Sequence, residues 1–364
     1  MTIKEISDSY LALVKEGDER IEKAVHALDA TAPLIVYGAG SAGRAVKDIV
    51  HRHGRRVSFF TDSNPSLWNQ SVDGIPVISP TDISKTPGAT VVVAAWDREG
   101  IGASLKSLGV SSAEFDIYNM LNGMSARDAF SQHMEELEKV ETLLKDERSR
   151  ETLQSLVLHA FTLDQTLLDT IFTIDQYFYG EPFSLSSNDV FIDVGAFEGD
   201  TIEYIVSKFA NGFGTVHCFE PNAKNFAKLS SLIANKGIQN NVIAHKQGLS
   251  DHYEKVFFAG SGSGFHISTT PTDEVCELVS FDEAYPDAVP TSIKMDIEAA
   301  EPLALRGMAK TIQTHKPRLA ICVYHEPHHL WEIPLYIQSL VPEHTFSMRH
   351  HTRTRLETVF YAVL

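Results

Sequence analysis

Apolar residues follow two successive patterns in which short strand-like runs alternate with helical stretches. In the first, from Leu34 to about Asn122, the runs are "LIVYGAG", "RVSFFTD", "ATVVVAAW" and "AEFDIYN". The second begins at Val190 with "VFIDVG", "GTVHCFE", "NVIAHKQ", "SIKMDI" and "RLAICVYH", and closes with "HTFSMRHH" and "ETVFYAVL". Such alternation is typical of a parallel sheet covered by helices. The sequence therefore predicts an α/β protein with two doubly wound sheets, the second ending in an antiparallel hairpin.

The same pattern predicts the domain organisation. Apolar residues at helical spacing before Pro33 predict an N-terminal helix over 1–32, followed by a nucleotide-binding type of domain over 33–122. A helical stretch between the two strand-rich blocks, free of glycine and proline from Ser131 to Phe172, predicts a connector over 123–187 that packs both domains together. The second α/β domain is expected over 188–364.

The composition limits which classes of binding partner and which cellular compartment we expect. The chain has 364 residues and a formal net charge of -17, which would repel a phosphate backbone, so no nucleic-acid partner is expected. The three cysteines are widely spaced and show no CxxC pattern, which argues against a disulfide framework or a zinc-thiolate site. The N-terminus is too charged for a signal peptide and no apolar run is long enough to span a membrane. We therefore expect a cytoplasmic protein without a membrane partner.

The turn after the first strand of the second block is acidic. It reads "GAFEGD" from Gly195 to Asp200, and Glu198 and Asp200 oppose a pyrophosphate at that position. A ligand with a cationic part fits better, and S-adenosylmethionine (SAM) carries a sulfonium, an ammonium and an adenosine. Asp193 would accept a hydrogen bond from the ammonium or from a bridging water. Glu220 lies about 27 residues later, an offset suited to a carboxylate that binds the ribose hydroxyls.

The remaining cofactor contacts at this turn are the glycines Gly195 and Gly199, which let the backbone approach the ligand. If the SAM methyl group passes to a hydroxyl, the transfer also needs a group that takes the hydroxyl proton. Asp296 and Lys294 end the strand "SIKMDI" and His325 ends "RLAICVYH". Histidine is the better general base near its ordinary pKa, and Asp296 would orient the acceptor or replace it.

Structural roles compete with these catalytic ones. Lys294 and Asp296 would equally form a buried ion pair, and His325 would equally be a hydrogen-bonded core histidine. The run "HEPHH" from His325, with Glu298 and Glu301 nearby, has no HExxH or facial-triad spacing. The sequence therefore predicts no metal site.

Five stretches in order resemble one enzyme family over about residues 175–364. They are "VFIDVGAFEGDT", "VHCFEPN", "QGLSD", "IKMDIEAAEPLALRGM" and "KPRLAICVYHEPHHLWEIPLYI". Together they resemble the FkbM family of SAM-dependent methyltransferases, although Ala299 stands where the family pattern has glycine. The resemblance implies a class I methyltransferase fold and O-methylation of sugar or polyketide-type hydroxyls. It also implies that Asn222 and Gln247, within the second and third stretches, belong to the cofactor site.

The turn of the first block, "GAGSAG", contains no acidic residue. Gly38, Gly40 and Gly43 follow a strand and open a helix, and Asp62 ends the next strand about 24 residues later. The stretch "FFTDSNPSLWNQSVDGIPVIS" resembles the Rossmann-like N-terminal domains of bacterial sugar acyltransferases and polysaccharide-biosynthesis enzymes. These features predict a second site for a nucleotide or a nucleotide-linked sugar, or a degenerate domain that only packs.

Three functions are compatible with the sequence. The first is a SAM-dependent O-methyltransferase acting on a saccharide, a glycoconjugate or a related natural product, including a nucleotide-linked acceptor. The second is an NAD(P)-linked oxidoreductase using the first domain, but no Tyr-x-x-x-Lys pattern occurs between Leu34 and Asn122. The third is a non-catalytic SAM- or nucleotide-sugar-binding module, against which Asp296 and His325 argue.

Overall fold

The computed structural model describes residues 1–95, 98–110, 112–113, 117–174, 176–178, 185–209, 212–259, 266–268, 272 and 275–364. The chain divides into two compact units. Unit 1 comprises Met1–Met134 and Gln154–Thr170, and unit 2 comprises Glu135–Leu153 and Ile171–Leu364. The segment predicted as a connector thus contributes residues to both units, and the boundaries at residues 32, 122 and 187 stay predictions.

Unit 1 contains a six-stranded sheet. Its strands are β1 (Leu34–Tyr37), β2 (Val57–Thr61), β3 (Ser71–Val72), β4 (Ile75–Ile78), β5 (Thr90–Val93) and β6 (Ser112–Ala113). Their order is β3-β4-β2-β1-β5-β6, and neighbours are parallel except for β3 with β4. The helices up to residue 171 are α1 (Ile3–Asp8), α2 (Tyr10–His26), α3 (Ser41–Arg52), α4 (Arg98–Ser107), α5 (Ile117–Gln132), α6 (Met134–Leu143), α7 (Glu147–Thr162) and α8 (Gln165–Ile171).

The sheet of unit 1 is buried on both faces. Successive side chains of a strand point to opposite sides, so Leu34 and Val36 pack in one apolar cluster with residues of α3. Ile35 and Tyr37 pack in a second cluster with residues of α4. Burial on two faces explains why the strand reads as a continuous apolar run rather than an alternating one.

Unit 2 contains a seven-stranded sheet and a smaller one. The strands are β7 (Val190–Val194), β8 (Thr215–Phe219), β9 (Val242–His245), β10 (Gly248–Leu249), β11 (Glu254–Ala259), β12 (His266–Ser268), β13 (Val275–Val279), β14 (Ser292–Met295), β15 (Arg318–Cys322), β16 (Thr345–His350) and β17 (Thr358–Val363). The larger sheet has the order β16-β17-β15-β14-β7-β8-β9. Its helices are α9 (Asp200–Lys208), α10 (Ala223–Lys236), α11 (Phe281–Ala284), α12 (Glu301–Gly307), α13 (Ala309–His315) and α14 (His329–Leu340).

The strand order places the candidate site. All neighbours in the larger sheet are parallel except β17, which is antiparallel to both β15 and β16, so the predicted terminal hairpin is confirmed. Strand β7 lies between β14 and β8, and the order reverses there. In open α/β sheets ligands bind beyond the carboxyl ends of strands at such a reversal. The turn after β7 and the residues after β8 and β14 share this edge.

The predicted α/β fold with two doubly wound sheets is confirmed, but three details differ. The N-terminal helix is two helices, because α1 ends at Asp8 and α2 begins at Tyr10. Among the described residues of the predicted strand "AEFDIYN", Ala113 belongs to β6 and the residues from Ile117 onward belong to α5, since a short apolar run suits either element. A four-stranded sheet of order β10-β13-β11-β12 was not predicted. The "GSGSG" run near it lies outside the described residues.

Within the described parts of the chain, no helix combines the length and the apolar character that crossing a bilayer requires.

Candidate functional site

The turn after β7 is shaped by close backbone packing. Gly195 has a φ of 84°, and a Cβ there would lie 1.9 Å from the carbonyl oxygen of Asp296. Gly199 has a φ of 99° and is the N-cap of α9. Only glycine fits at Gly195, because the chain after β14 runs directly against it. The two predicted cofactor glycines are therefore required by the protein's own backbone, whatever ligand the turn holds.

A buried ion pair lies beneath this turn. Asp193 is fully buried, and its Oδ1 is 3.1 Å from Nζ of Lys294, whose side chain is 3% exposed. Lys294 also donates a hydrogen bond to the carbonyl oxygen of Gly195 at 2.7 Å. Burial raises the pKa of Asp193 to about 6, against the lowering effect of the Lys294 charge. Both side chains thus hold the turn from below and do not face solvent.

Glu220 follows β8 and binds the turn from the side. Its Oε2 accepts a hydrogen bond from the amide of Phe197 at 2.9 Å, and its Oε1 accepts one from the amide of Asn222 at 2.8 Å. Burial raises the pKa of Glu220 to about 7, although both backbone bonds act to lower it. Glu198, which opposes phosphate, forms a 2.5 Å ion pair with Lys228 of α10. Glu220 thus organises the turn and keeps lone pairs that a ribose diol would use.

The two other predicted cofactor residues lie at the same side of the sheet. The Asn222 side chain accepts hydrogen bonds from the amides of Lys224 and Asn225 and caps α10. Gln247 accepts a 2.8 Å hydrogen bond from the hydroxyl of Tyr285. Asn222 is buried, so its present contacts are structural, whereas Gln247 is half-buried.

Asp296, directly after β14, is the centre of a hydrogen-bonded cluster. Its Oδ2 accepts a bond from the hydroxyl of Tyr177 at 2.7 Å, and its Oδ1 accepts one from the hydroxyl of Tyr324 at 3.1 Å. His325 Nε2 is 3.3 Å from the same Oδ1. Burial acts to raise the pKa of Asp296, but the Lys294 and His325 charges and the two tyrosine bonds lower it. The carboxylate remains 24% exposed and is therefore accessible.

His325 lies between carboxylates. Its Nδ1 is 2.9 Å from Oε1 of Glu301, while Nε2 faces Asp296 and lies 3.8 Å from Oε2 of Glu298. Burial acts to lower the pKa of His325, but Glu301, Asp296 and Glu298 raise it to about 9. Each ring nitrogen of His325 thus lies within 4.0 Å of a carboxylate oxygen. Asp296 is the more exposed of the two side chains, at 24% against 8% for His325, and the choice of either one as the base stays a prediction.

The sequence analysis considered the "HEPHH" run together with Glu301 and rejected a joint site, because the spacing matches no metal motif. The structure brings Glu301, His325 and His329 together, with one side-chain nitrogen or oxygen of each within 4.8 Å of the others. Glu301 begins α12 and His329 begins α14, so neither regular motif spacing nor a single element joins them. Tyr177, from a different part of the chain, was also missed. Only Tyr324, adjacent to His325, carried a local signal.

The glycine turn of unit 1 uses a similar arrangement. Asp62 accepts a hydrogen bond from the amide of Ala39 at 2.8 Å. Gly38 has a φ of 108°, and a Cβ on it would lie 2.5 Å from the carbonyl oxygen of Ala94. A Cβ on Gly43 would lie 1.8 Å from the carbonyl oxygen of Gly38, whereas one on Gly40 would meet nothing within 4 Å. Of the predicted glycines, Gly40 alone faces open space.

Comparisons with known proteins agree with this architecture. Residues 193–351 match the family model described as the methyltransferase FkbM domain. The structure of the methyltransferase FkbM from Methylobacillus flagellatus KT superposes with a TM-score of 0.68 and 19% identity, covering 99% of this chain and 100% of that one. This likeness shows a shared fold. No curated protein matches the sequence.

Two further solved structures resemble part of the chain. A SAM dependent methyltransferase from Aquifex aeolicus has 14% identity and a TM-score of 0.31, covering 55% of this chain and 99% of that one. The structure of SMU.1697c from Streptococcus mutans in complex with SAH has 14% identity and a TM-score of 0.33, covering 50% of this chain and 93% of that one. Neither score is high enough to add to the fold assignment.

Proposed function

We propose that this SAM-dependent methyltransferase, whose residues 193–351 match the FkbM domain, methylates a hydroxyl of a saccharide, a glycoconjugate or a related natural product. The observation that carries the proposal is the position of Asp296. Its carboxylate lies at the switch-point edge of the sheet, partly exposed, next to the turn predicted to hold SAM. The saccharide class comes from the sequence resemblance alone.

The proposed cofactor site is the turn after β7 with its neighbours. SAM would lie against the backbone of Gly195 and Gly199, with Glu220 accepting hydrogen bonds from the ribose hydroxyls. Gln247 would contact the cofactor from the edge beyond β9. We assign Asp193 and Asn222 to positioning, since both are buried and bonded to the protein itself.

Asp296 is proposed to receive the acceptor hydroxyl. In the transfer, the hydroxyl oxygen forms a bond to the methyl carbon while the carbon–sulfur bond breaks, and sulfur keeps its electron pair. The hydroxyl proton passes to Asp296 as the new bond forms. Because the sulfonium is already activated, alignment and exclusion of water supply most of the remaining effect. Lys294 contributes by fixing the turn rather than by touching the acceptor.

The test is turnover of an Asp296→Asn variant with labelled SAM and a panel of sugar and non-sugar hydroxyl acceptors. Losing a general base typically lowers the rate by about 10²–10⁴-fold. We expect this loss with unchanged SAM affinity, measured by calorimetry. The exposed Asp287→Asn variant is the matched control. Wild-type-like turnover in Asp296→Asn would remove Asp296 from catalysis, and turnover only with non-sugar hydroxyls would overturn the saccharide assignment.

The site predicted in unit 1 stays a prediction, and one observation favours it. Gly40 faces open space at the start of α3, which has no acidic residue in its first turn and no side-chain cap at its N-terminus. A nucleotide-linked sugar there would agree with the sequence resemblance to polysaccharide-biosynthesis domains. Gly40→Val should abolish binding of UDP- or GDP-sugars while sparing SAM. Gly102→Val, at another glycine with open space around it, is the control. No binding by the wild type at millimolar concentration would leave unit 1 a packing domain.

The cytoplasmic setting also stays a proposal. Its support is that Cys218, Cys276 and Cys322 are buried and form no disulfide, as expected where thiols remain reduced. The NAD(P)-linked alternative gains no support from the comparisons.

A further inference from the structure

Three buried side chains, those of Glu301, His325 and His329, converge beside Asp296. Glu301 is fully buried, and His329 and His325 have side chains only 1% and 8% exposed. Glu301 Oε2, His325 Nδ1 and His329 Nδ1 make no hydrogen bond of normal geometry to any residue that the structure describes. A buried polar atom without a well-formed hydrogen bond costs stability, so three such side chains, each with a ligand atom within 4.8 Å of the others, favour a shared ligand.

The distances fit one metal ion. His325 Nδ1 lies 2.9 Å from Glu301 Oε1, and His329 Nδ1 lies 3.5 Å from Glu301 Oε2. Bonds of about 2.0–2.2 Å to one ion place its ligand atoms roughly 3–3.5 Å apart in a tetrahedral or octahedral arrangement. All three ligand atoms lie within 4.8 Å of one another, so small side-chain shifts suffice.

The charges around His325, and the groups that contact the three side chains, favour a bound cation. Asp296, Glu298 and Glu301 all lie within 4.0 Å of the single His325 ring, an excess of negative charge in a largely buried region. His325 Nε2 lies 3.3 Å from Asp296 Oδ1, close to the position from which a carboxylate orients a metal-bound imidazole. The amide of Ile297 donates to Glu301 Oε1 at 2.8 Å and orients that carboxylate.

We propose that Glu301, His325 and His329 bind a divalent transition-metal ion of the zinc class. Two imidazoles and one carboxylate suit zinc, cobalt or iron, whereas magnesium prefers oxygen ligands alone. Three protein ligands leave at least one coordination position for water or a substrate oxygen. The inference stands on these contacts and does not depend on methyl transfer.

The first experiment measures metal binding by the full chain. The protein is stripped with a chelator, dialysed and titrated separately with Zn²⁺, Co²⁺ and Mg²⁺ by calorimetry, and the visible spectrum of the Co²⁺ sample is recorded. We expect one equivalent of Zn²⁺ or Co²⁺ to bind, d–d absorption typical of nitrogen and oxygen ligation, and no competition from Mg²⁺. Absence of Zn²⁺ binding and of the Co²⁺ absorption would overturn the proposal and leave a hydrogen-bonded cluster.

Variants then locate the site. Asp296→Asn changes a group that contacts a ligand but not the ion, so it should weaken Zn²⁺ binding by roughly 10–100-fold. Glu301→Gln and His329→Asn remove ligands themselves and should weaken Zn²⁺ binding by more than that. His328→Ala, next in sequence to His329 but with its side chain 44% exposed, should bind as the wild type does. Equal affinity in Glu301→Gln, His329→Asn and the wild type would place any bound ion elsewhere and overturn the assignment.

Two controls keep the outcomes separate. If the buried variants fail to fold by circular dichroism, the Co²⁺ spectrum of the wild type still decides, since oxygen-only ligation would contradict a two-histidine site. SAM affinity is measured on the same stripped protein. SAM binding without metal binding would overturn only this inference, and metal binding without SAM binding would overturn only the proposed cofactor site.

Discussion

The glycine turns after β1 in unit 1 and after β7 in unit 2 are held by the same kind of hydrogen bond, but different residues pack beneath them. In each, a strand enters the turn, a helix leaves it, and a carboxylate after the next strand accepts a turn amide. Asp62 Oδ2 does so with Ala39 at 2.8 Å, and Glu220 Oε2 does so with Phe197 at 2.9 Å. A carboxylate at this position therefore does not by itself identify a ribose site, because it also ties the turn to the sheet.

Charge separates the two turns. The turn of unit 1 is packed by backbone contacts of Gly38 and Gly43, and α3 begins without an acidic residue. The turn of unit 2 lies over the Asp193–Lys294 ion pair, and α9 carries two acidic residues in its first turn. Similar backbone geometry thus leads into a helix without acidic residues in its first turn in unit 1, and into a helix with two in unit 2, where they would oppose an anion.

The largest expected effect comes from breaking the buried pair that only the second turn possesses. Asp193→Asn leaves the Lys294 charge buried without its partner, which typically costs about 3–5 kcal/mol of stability. Urea unfolding read by hydrogen exchange should show this loss in unit 2 and not in unit 1. The double variant Asp193→Leu with Lys294→Met removes both charges and should recover most of the stability. A single variant as stable as wild type would show that the pair is not needed.

The next effect compares the two strand-end carboxylates. Glu220→Ala removes a charged hydrogen-bond acceptor worth about 1.5–3 kcal/mol, so SAM binding should weaken roughly 10–150-fold. Asp62→Ala, the equivalent change in unit 1, should leave SAM affinity unchanged. Calorimetry on both variants makes the measurement. Equal loss in the two would mean that the effect is indirect, and no loss in a folded Glu220→Ala would exclude Glu220 from the site.

Acidity offers a milder way to probe the same carboxylate. The pKa of Glu220 is raised to about 7 by burial, so the group is protonated below that pH and ionised above it. An ionised carboxylate accepts both ribose hydroxyls, so SAM affinity should rise about tenfold between pH 6 and pH 8. Glu220→Gln should flatten this profile. A slope that survives in Glu220→Gln would assign the titration to another group.

The smallest effect concerns the turn after Asp296. Ala299 has a φ of 77°, where the family pattern has glycine. A non-glycine residue in this left-handed region costs about 1–2 kcal/mol of stability. Replacing it by glycine removes that cost but loses about 0.4–1 kcal/mol, because glycine raises the conformational entropy of the unfolded chain. Ala299→Gly should therefore stabilise unit 2 by roughly 1 kcal/mol or less in urea unfolding. Ala304→Gly inside α12 should destabilise it by about 1 kcal/mol. If Ala299→Gly destabilised unit 2 instead, the left-handed backbone at Ala299 would not be a source of strain in the folded protein.

The fold and the residues at the strand ends could be predicted from the sequence, because both follow from periodic patterns of apolar residues. Asp193, Glu220 and Asp296 end apolar strands, and parallel strands bring their carboxyl ends together. The direction in which each side chain points was not readable: Asp193 ends a strand but lies under the turn. The association of Glu301 with His325 and His329 depends on how α12 and α14 pack, which no local spacing encodes. The small sheet was missed because its strands are short and irregularly spaced.

The contact of Gly195 with the main chain of Asp296 has a consequence for how this enzyme diversifies. The turn proposed to hold SAM packs directly against the main chain of Asp296, the proposed acceptor carboxylate, so a shift of either one would disturb the other. Selection for a new acceptor therefore cannot proceed by shifting Asp296. It has to act on the surrounding side chains, such as Tyr177 and Tyr324, which reach the carboxylate through their hydroxyls from other parts of the chain. We therefore expect the turn and Asp296 to stay fixed while substitutions of the surrounding side chains change which acceptors are accepted.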